Sequence, residues 1–260
     1  MFVKLLNWLK SSTLVVIVLL TITTTSAQSN DFKYFWYTGG ELFSPGAHLK
    51  SRDAIILGSL SAATLPAYFI DDDIRSYSQQ AKTPIISSIA AIDDYYIPAF
   101  SASVIYLYAQ GYATGNSENR ILGRKLLESI FFSSIITQSI KTIVGRARPY
   151  TNEGADSFTP FGFSFAHNAF PSGHTSFIFS VATVLAENNA STEMQVALYS
   201  FATIGSLARI INDKHWLSDV LFGAAVGYFT GRIVSEYTPD KNSEQLNAPP
   251  PPAVSFTIMF

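Results

Sequence analysis

Residues 171–187 read Pro-Ser-Gly-His-Thr-Ser-Phe-Ile-Phe-Ser-Val-Ala-Thr-Val-Leu-Ala-Glu. Ser172 is a good helix N-cap, Gly173 lets backbone come close to a neighbour, and the run Thr175 to Ala186 has no period-two alternation. The pattern predicts a helix over 173–188. Reading outward, the same texture recurs: long apolar stretches rich in Ala, Leu, Ile, Phe and Ser, separated by short polar breaks. Further helices are expected over about 53–70, 85–110, 121–144, 194–212 and 216–235. The breaks carry turn residues at Asp71-Asp72-Asp73, Gly115-Asn116-Ser117 and Asn188-Asn189-Ala190-Ser191. This is an all-α pattern, a single bundle of about six helices. The break from Pro149 to Phe170 is too long to be an idle connection in a compact domain, which marks it as functional.

The composition narrows the function classes. Of 260 residues only 14% are charged and 48% are hydrophobic, so a disordered chain is excluded. The net charge of -2 gives no support to a nucleic-acid partner. Mean hydropathy is +0.21, which leaves a membrane protein open. Cysteine is absent, and with it disulfides, thiol catalysis, Cys-type zinc sites and an N-terminal Cys lipid anchor.

The chain divides into four parts. Residues 1–27 read as a signal peptide: Lys4 and Lys10, then the apolar run Leu14 to Leu20, then Thr25-Ser26-Ala27 at a cleavage point. An exported protein of the periplasm or cell envelope is therefore expected. Residues 28–52 form an N-terminal segment, 53–237 the helical domain, and 238–260 a Pro-rich extended tail. The end of that tail, Ser255 to Phe260, suits a short edge strand or a loose terminus. Ala54 to Ile70 and Ile97 to Ser117 contain no charge and approach a membrane span, whereas the other helices carry Glu128, Lys141, Glu187, Arg209 and Asp219. Hydropathy alone leaves a periplasmic bundle and a shallow membrane bundle even; with the few charges concentrated in one set, association with the membrane is expected.

Charged and histidine residues fall into three groups. In Lys141-Thr-Ile-Val-Gly-Arg-Ala-Arg148-Pro149, two helical turns separate Lys141 from Arg148, so both should point to one helical face, and Pro149 should end the helix. Two cations at a helix C-terminus can simply answer the macrodipole. In Ser172-Gly173-His174, a helix start offers backbone N–H groups to an anion with a histidine in the first turn, or is ordinary helix-start chemistry. In Arg209-Ile-Ile-Asn-Asp-Lys-His215-Trp-Leu-Ser-Asp219, the last two charged groups are four apart, so the carboxylate can orient the imidazole, or form an everyday surface pair. Each group alone is weak. Together, three cations, a helix N-terminus and two histidines suit a tetrahedral oxyanion.

K-x6-R-P, then P-S-G-H, then R-x5-H-x3-D, in this order and separated by helices, resembles the type 2 phosphatidic acid phosphatase and vanadium haloperoxidase superfamily. The likeness covers about 120–235 closely. Where that family usually has Ser-Arg, Ala208 precedes Arg209, which loses one hydroxyl and keeps the charged set. The resemblance implies an all-α bundle with its active site at one end. It implies His215 as nucleophile forming a phosphohistidine, Asp219 orienting it, and His174 as proton donor to the leaving oxygen. Lys141, Arg148, Ser172, Gly173 and Arg209 would bind phosphate. It implies no metal and no other cofactor, and inhibition by vanadate. The substrate would be a phosphorylated lipid (phosphatidate, phosphatidylglycerophosphate, prenyl diphosphate or lipid A type) or a small phosphate ester. The alternatives are a soluble broad-specificity periplasmic acid phosphatase and a vanadate-dependent haloperoxidase. Oligomeric state is not read from the sequence.

Three further features have plainer readings. Asp71-Asp72-Asp73 and Asp93-Asp94 are expected in solvated loops. The aromatics of residues 32–37 (FKYFWY) suit either an interfacial belt or packing beneath the bundle. Phe161, Phe163, Phe165 and His167 are candidates to line a substrate entrance.

Overall fold

The computed structural model describes residues 26–43 and 50–237, apart from Ile92, Phe163 and Asn189. Within these residues the chain is all helix and connection. The helices are α1 (Ser26–Leu42), α2 (Ser51–Phe69), α3 (Asp71–Gln80), α4 (Pro84–Ala90), α5 (Asp93–Thr114), α6 (Ser117–Val144), α7 (Gly173–Glu187), α8 (Thr192–Ile211) and α9 (Leu217–Tyr237). The tail 238–260 and the expected signal peptide, save its last two residues, lie outside the described part.

The all-α expectation holds, with three additional elements. The N-terminal segment carries α1. Its inner face, Asp31, Phe35, Thr38 and Leu42, repeats at helical spacing; Asp31 is buried and binds Arg120 at 2.7 Å and Arg124 at 3.0 Å. The aromatics divide accordingly: Phe35 stacks on Phe132, while Phe32, Trp36 and Tyr37 are exposed. The helix expected over 85–110 is two, broken between Ala90 and Asp93. The Asp71-Asp72-Asp73 run is the first turn of α3, where carboxylates favour the N-terminal pole, and Asp71 is buried.

Small residues bring α7 and α9 together. Gly223, Gly227 and Gly231 recur every four residues on α9, and a Cβ there would lie 2.7, 2.4 and 2.8 Å from the carbonyl oxygens of Ser172, Ser176 and Ser180. Backbone therefore packs on backbone, the manner in which small residues join helices in an apolar solvent. Gly227→Ala is expected to destabilise the bundle by about 1–3 kcal/mol through overpacking, read from thermal unfolding in detergent. Between the helices sit small hydroxyl residues such as Ser133, Ser180, Thr183 and Thr230, all buried. Around them Leu126, Leu127, Phe177, Ile178, Val181, Ile233 and Val234 form the core.

The outside is apolar over long stretches. Met194, Val196, Phe201, Ile204 and Leu207 leave one face of α8 hydrophobic and uncovered, as do Ile55, Leu65 and Phe69 on α2. Two described helices, Thr192–Ile211 and Leu217–Glu236, are long and apolar enough to cross a membrane. The pair Ser51–Phe69 and Asp71–Gln80, bent by 75°, passes the same test together. This differs from the sequence expectation. The charges of α8 and α9 were counted as interruptions, but Arg209 and Asp219 sit at helix ends and leave the spans intact. Those ends, with the C-terminus of α6 and the N-terminus of α7, meet at one end of the bundle.

Candidate active site

The first group is shaped by Gly145. Helix α6 stops at Val144, the expected end, because Gly145 takes a left-handed conformation (φ 61°) and its N–H caps the Lys141 carbonyl; Pro149 lies beyond it. A Cβ at this position would lie 1.9 Å from the Thr159 carbonyl oxygen, so only glycine fits. Lys141 and Arg148 are thus brought together by a turn, correcting the expectation of a shared helical face. The long break then folds back on this turn: Thr159 N–H donates to the Gly145 carbonyl at 2.7 Å, Arg148 N–H to Ala166 at 2.8 Å and Ala169 N–H to Arg146 at 2.9 Å. Asn168, at its end, accepts from Arg148 Nε at 2.8 Å. Its carbonyl accepts a short hydrogen bond from Lys141 Nζ. Nothing in the local sequence singled out Asn168.

The second group is a capped helix start. Ser172 is fully buried, and its Oγ accepts from Thr175 N–H at 3.4 Å and from Thr175 Oγ1 at 3.0 Å. Its own N–H donates to the Asp219 carbonyl at 2.9 Å. The Ser172 hydroxyl therefore serves the cap. The amides of Gly173 and His174 are the first-turn donors that helix geometry leaves for an outside acceptor. Gly173 Cα faces the Lys141 stem: an added Cβ would stand 3.7 Å from Lys141 Cε. His174 is half-buried and packs edge-on to Tyr96, centroids 6.1 Å apart.

The third group places the second histidine. The chain turns after α8 so that Lys214 and His215 N–H both point at the Arg209 carbonyl, at 3.0 and 3.3 Å. His215 is 1% exposed. Its Nδ1 lies 3.5 Å from Asp219 Oδ2, an ion-pair distance without a formed hydrogen bond. Asp219 Oδ2 is held in turn by Trp216 N–H at 2.8 Å.

One residue essential to this arrangement was not assigned a role from sequence. Arg146, 1% exposed, donates from Nη1 to Asp219 Oδ1 and Ser218 Oγ, from Nη2 to Asp71 Oδ2 (each 2.7 Å), and from Nε to the Ala155 carbonyl at 2.8 Å. It ties the carboxylate behind His215 to Asp71. Asp93 likewise is buried against Arg209. Asp71 and Asp93 are therefore interior counter-charges, correcting the expectation of solvated loops: each guanidinium supplies the pairing that makes a buried carboxylate tolerable. His167 faces elsewhere and pairs with Glu153 at 2.9 Å. Phe161 and Phe165 are exposed on the same loop, and Phe163 is outside the described residues.

The electrostatics are those of a site prepared for an anion. Lys141, Arg148, His174 and His215 all lie outside the two apolar spans. Burial, then Arg148, Lys141, Arg209 and His174, push the His215 imidazolium well below its ordinary range. Burial, then Arg209, Arg148 and Lys141, do the same to His174. Lys141 is pushed down by burial and by Arg148, and Arg148 by burial. Positive groups that depress one another around a common space are relieved when a dianion enters it.

The chain is similar to known proteins. Residues 122–243 match the PAP2 superfamily, a window that holds every site residue from Lys141 to Asp219. A stretch of 70 residues is 44% identical to the lipid A 1-phosphatase of Porphyromonas gingivalis, covering 26% of this chain and 16% of that protein. Another, of 108 residues, is 32% identical to the lipid A 1-phosphatase of Rhizobium etli, covering 41% and 46%. The chain thus spans less than half the length of either relative. Among solved structures, Aquifex aeolicus LpxE superposes with a TM-score of 0.50 at 22% identity, over 65% of this chain and 96% of that one. The transmembrane PAP2-type phosphatidylglycerolphosphate phosphatase of Bacillus subtilis gives 0.53 at 17% identity, over 72% and 94%. The solved structures establish the fold, and the family match carries the three charged groups in their order. Over residues 122–243, just under half of its length, the chain is thus similar to the PAP2 superfamily.

Proposed function

We propose that the protein is a phosphatase of the cell envelope that hydrolyses a phosphorylated lipid through a phosphohistidine at His215, with its active site on the periplasmic side. The observation that carries this reading is the convergence of Lys141, Arg148 and Arg209 on two histidines at one end of an apolar bundle. The lipid A 1-phosphatase relatives favour a lipid A type sugar phosphate among the candidate lipids. The uncovered apolar faces of α2 and α8 favour a membrane-embedded enzyme over the soluble acid phosphatase.

The residues divide the reaction as follows. The three cations and the first-turn amides of α7 neutralise the phosphoryl oxygens, which is most of what phosphoryl transfer requires. His215, held through Nδ1 by Asp219, presents Nε2 to phosphorus. As the N–P bond forms, the P–O bond to the lipid breaks, and His174 passes a proton to the departing oxygen. His174, now neutral, takes a proton from water as the water oxygen attacks phosphorus. The N–P bond breaks, and phosphate leaves with His215 restored.

A proton balance follows from the depressed histidines. In the free site both are neutral to well below the ordinary 6.5. A bound dianion raises both values, so between the free and bound values binding must draw protons from solution. Sulfate is a suitable probe because it stays dianionic throughout this range. Titration near pH 6 in buffers of different ionisation enthalpy is expected to show net proton uptake; release would contradict the assigned charge states.

The activity itself is tested by phosphate release from a lipid A type 1-phosphate, a phosphatidate and an aryl phosphate, alongside halide oxidation with peroxide. The reading expects release, fastest from a lipid, and no halide oxidation. Halide oxidation without phosphate release would overturn it.

A further inference from the structure

Helix α3 lies outside the segment matched by the PAP2 superfamily, yet one of its faces reaches the first and third of the three charged groups. Asp71, Arg75 and Gln79 are spaced four apart and share that face. Asp71 binds Arg146 Nη2 at 2.7 Å and Ser218 N–H at 3.0 Å, next to Asp219. Gln79 Nε2 donates to the carbonyls of Ile210 and Ile211 at 3.4 and 3.2 Å, directly after Arg209. Arg75 makes the central contacts. Its Nε and Nη2 bind the Asp213 carboxylate bidentately at 2.7 and 2.9 Å, and Nη2 also reaches Asn152 Oδ1 at 2.8 Å. Its guanidinium lies 5.7 Å from the ring centroid of Trp216, whose Nε1 donates to the Ala147 carbonyl at 2.8 Å.

The residues that Arg75 holds are unusual in their backbone. Asn152 (φ 59°) and Asp213 (φ 57°) both adopt the left-handed conformation that non-glycine residues rarely take. Such conformations persist where surrounding contacts over-determine them. Asp213 stands two residues before His215, and Asn152 four residues after Arg148. One guanidinium therefore spans the loop that presents the nucleophile and the loop that follows a phosphate-binding cation.

We propose that Arg75 is a positioning residue that fixes the distance between the His215 loop and the Arg148 loop, with α3 acting as an external brace on the active site. The inference rests on the phosphatase reading for its consequence. Arg75 and Asp213 keep side-chain exposures of 22% and 21%, so water still reaches the pair and its loss is expected to lower global stability only modestly. Its effect is on geometry, where a displacement of about 1 Å can cost about 100-fold in rate.

The test is Arg75→Ala in the full-length protein. The expected result is a fall in kcat of roughly 10- to 100-fold with little change in KM, an unfolding midpoint close to wild type, and recovery of kcat by added guanidinium ion. Asp213→Ala should give a similar loss, and the double variant should be no worse than the more impaired single one. An unchanged kcat in Arg75→Ala, or a loss that tracks a lowered midpoint and ignores guanidinium, would overturn the proposal. Amide exchange at 212–216 provides a readout independent of turnover. It must quicken in Arg75→Ala, and unaltered exchange would also overturn the brace. A wild type that releases no phosphate from any substrate would count against the phosphatase reading instead.

Discussion

Replacing His215 with alanine is expected to lower phosphate release by about four orders of magnitude or more, the scale on which removing a catalytic nucleophile acts. The bundle should survive the change. Asp219 keeps its bonds to Arg146 and to Trp216 N–H, so no carboxylate is left unpaired. The space vacated by the imidazole faces three cations and the polar start of α7, a setting that water can fill. Losing a positively chargeable ring from a crowded cationic site also removes repulsion rather than adding it. Activity and unfolding temperature should therefore separate: near-zero turnover with a midpoint close to wild type. Wild-type turnover in this variant would remove His215 from the mechanism.

The second large effect is expected at Arg146, and there stability and activity should fall together. Its guanidinium satisfies Asp219, Asp71, Ser218 and the Ala155 carbonyl. It also lies against Tyr68 and Trp216, 5.0 and 5.4 Å from their ring centroids. Arg146→Met would leave two buried carboxylates facing each other without their counter-charge, at a cost of about 3–5 kcal/mol. Arg146→Lys should recover only part, because a point charge cannot serve acceptors arranged around a planar fork. Adding Asp71→Leu to Arg146→Met should restore some stability by removing one stranded carboxylate, while activity stays low because Asp219 is still unsupported. Denaturant unfolding of these variants checks the ordering; an Arg146→Met protein as stable as wild type would contradict it.

Much of the site was legible because its chemistry is carried by residue types at short spacing. His215 and Asp219 are one helical turn apart, Ser172 caps the helix that follows it, and the cations stand beside Gly145 and Pro149. What the sequence did not disclose are partners far apart in the chain. Asp71 meets Arg146 across 75 positions and Arg209 meets Asp93 across 116. Three consecutive aspartates read locally as a solvated turn; only the fold reveals that the first of them is buried against a guanidinium. The low charge fraction held a usable hint. In a chain so poor in charge, an arginine buried beside the candidate site's carboxylate needs a counter-charge, and few carboxylates were available to provide one. Membrane association was legible from the scarcity of charge, but which helices could span was not: counting charges along a helix ignores that Arg209 and Asp219 stand at helix ends, where they meet the site and leave apolar spans uninterrupted.

The most direct test of the central claim is to trap the intermediate. The protein, mixed with a lipid phosphate bearing a radioactive phosphoryl group and quenched within one turnover, should carry label that is labile in acid and stable in alkali. Mapping should place it on the peptide containing His215, and His215→Ala should carry none. Label on another residue, or label retained in His215→Ala, would contradict the account.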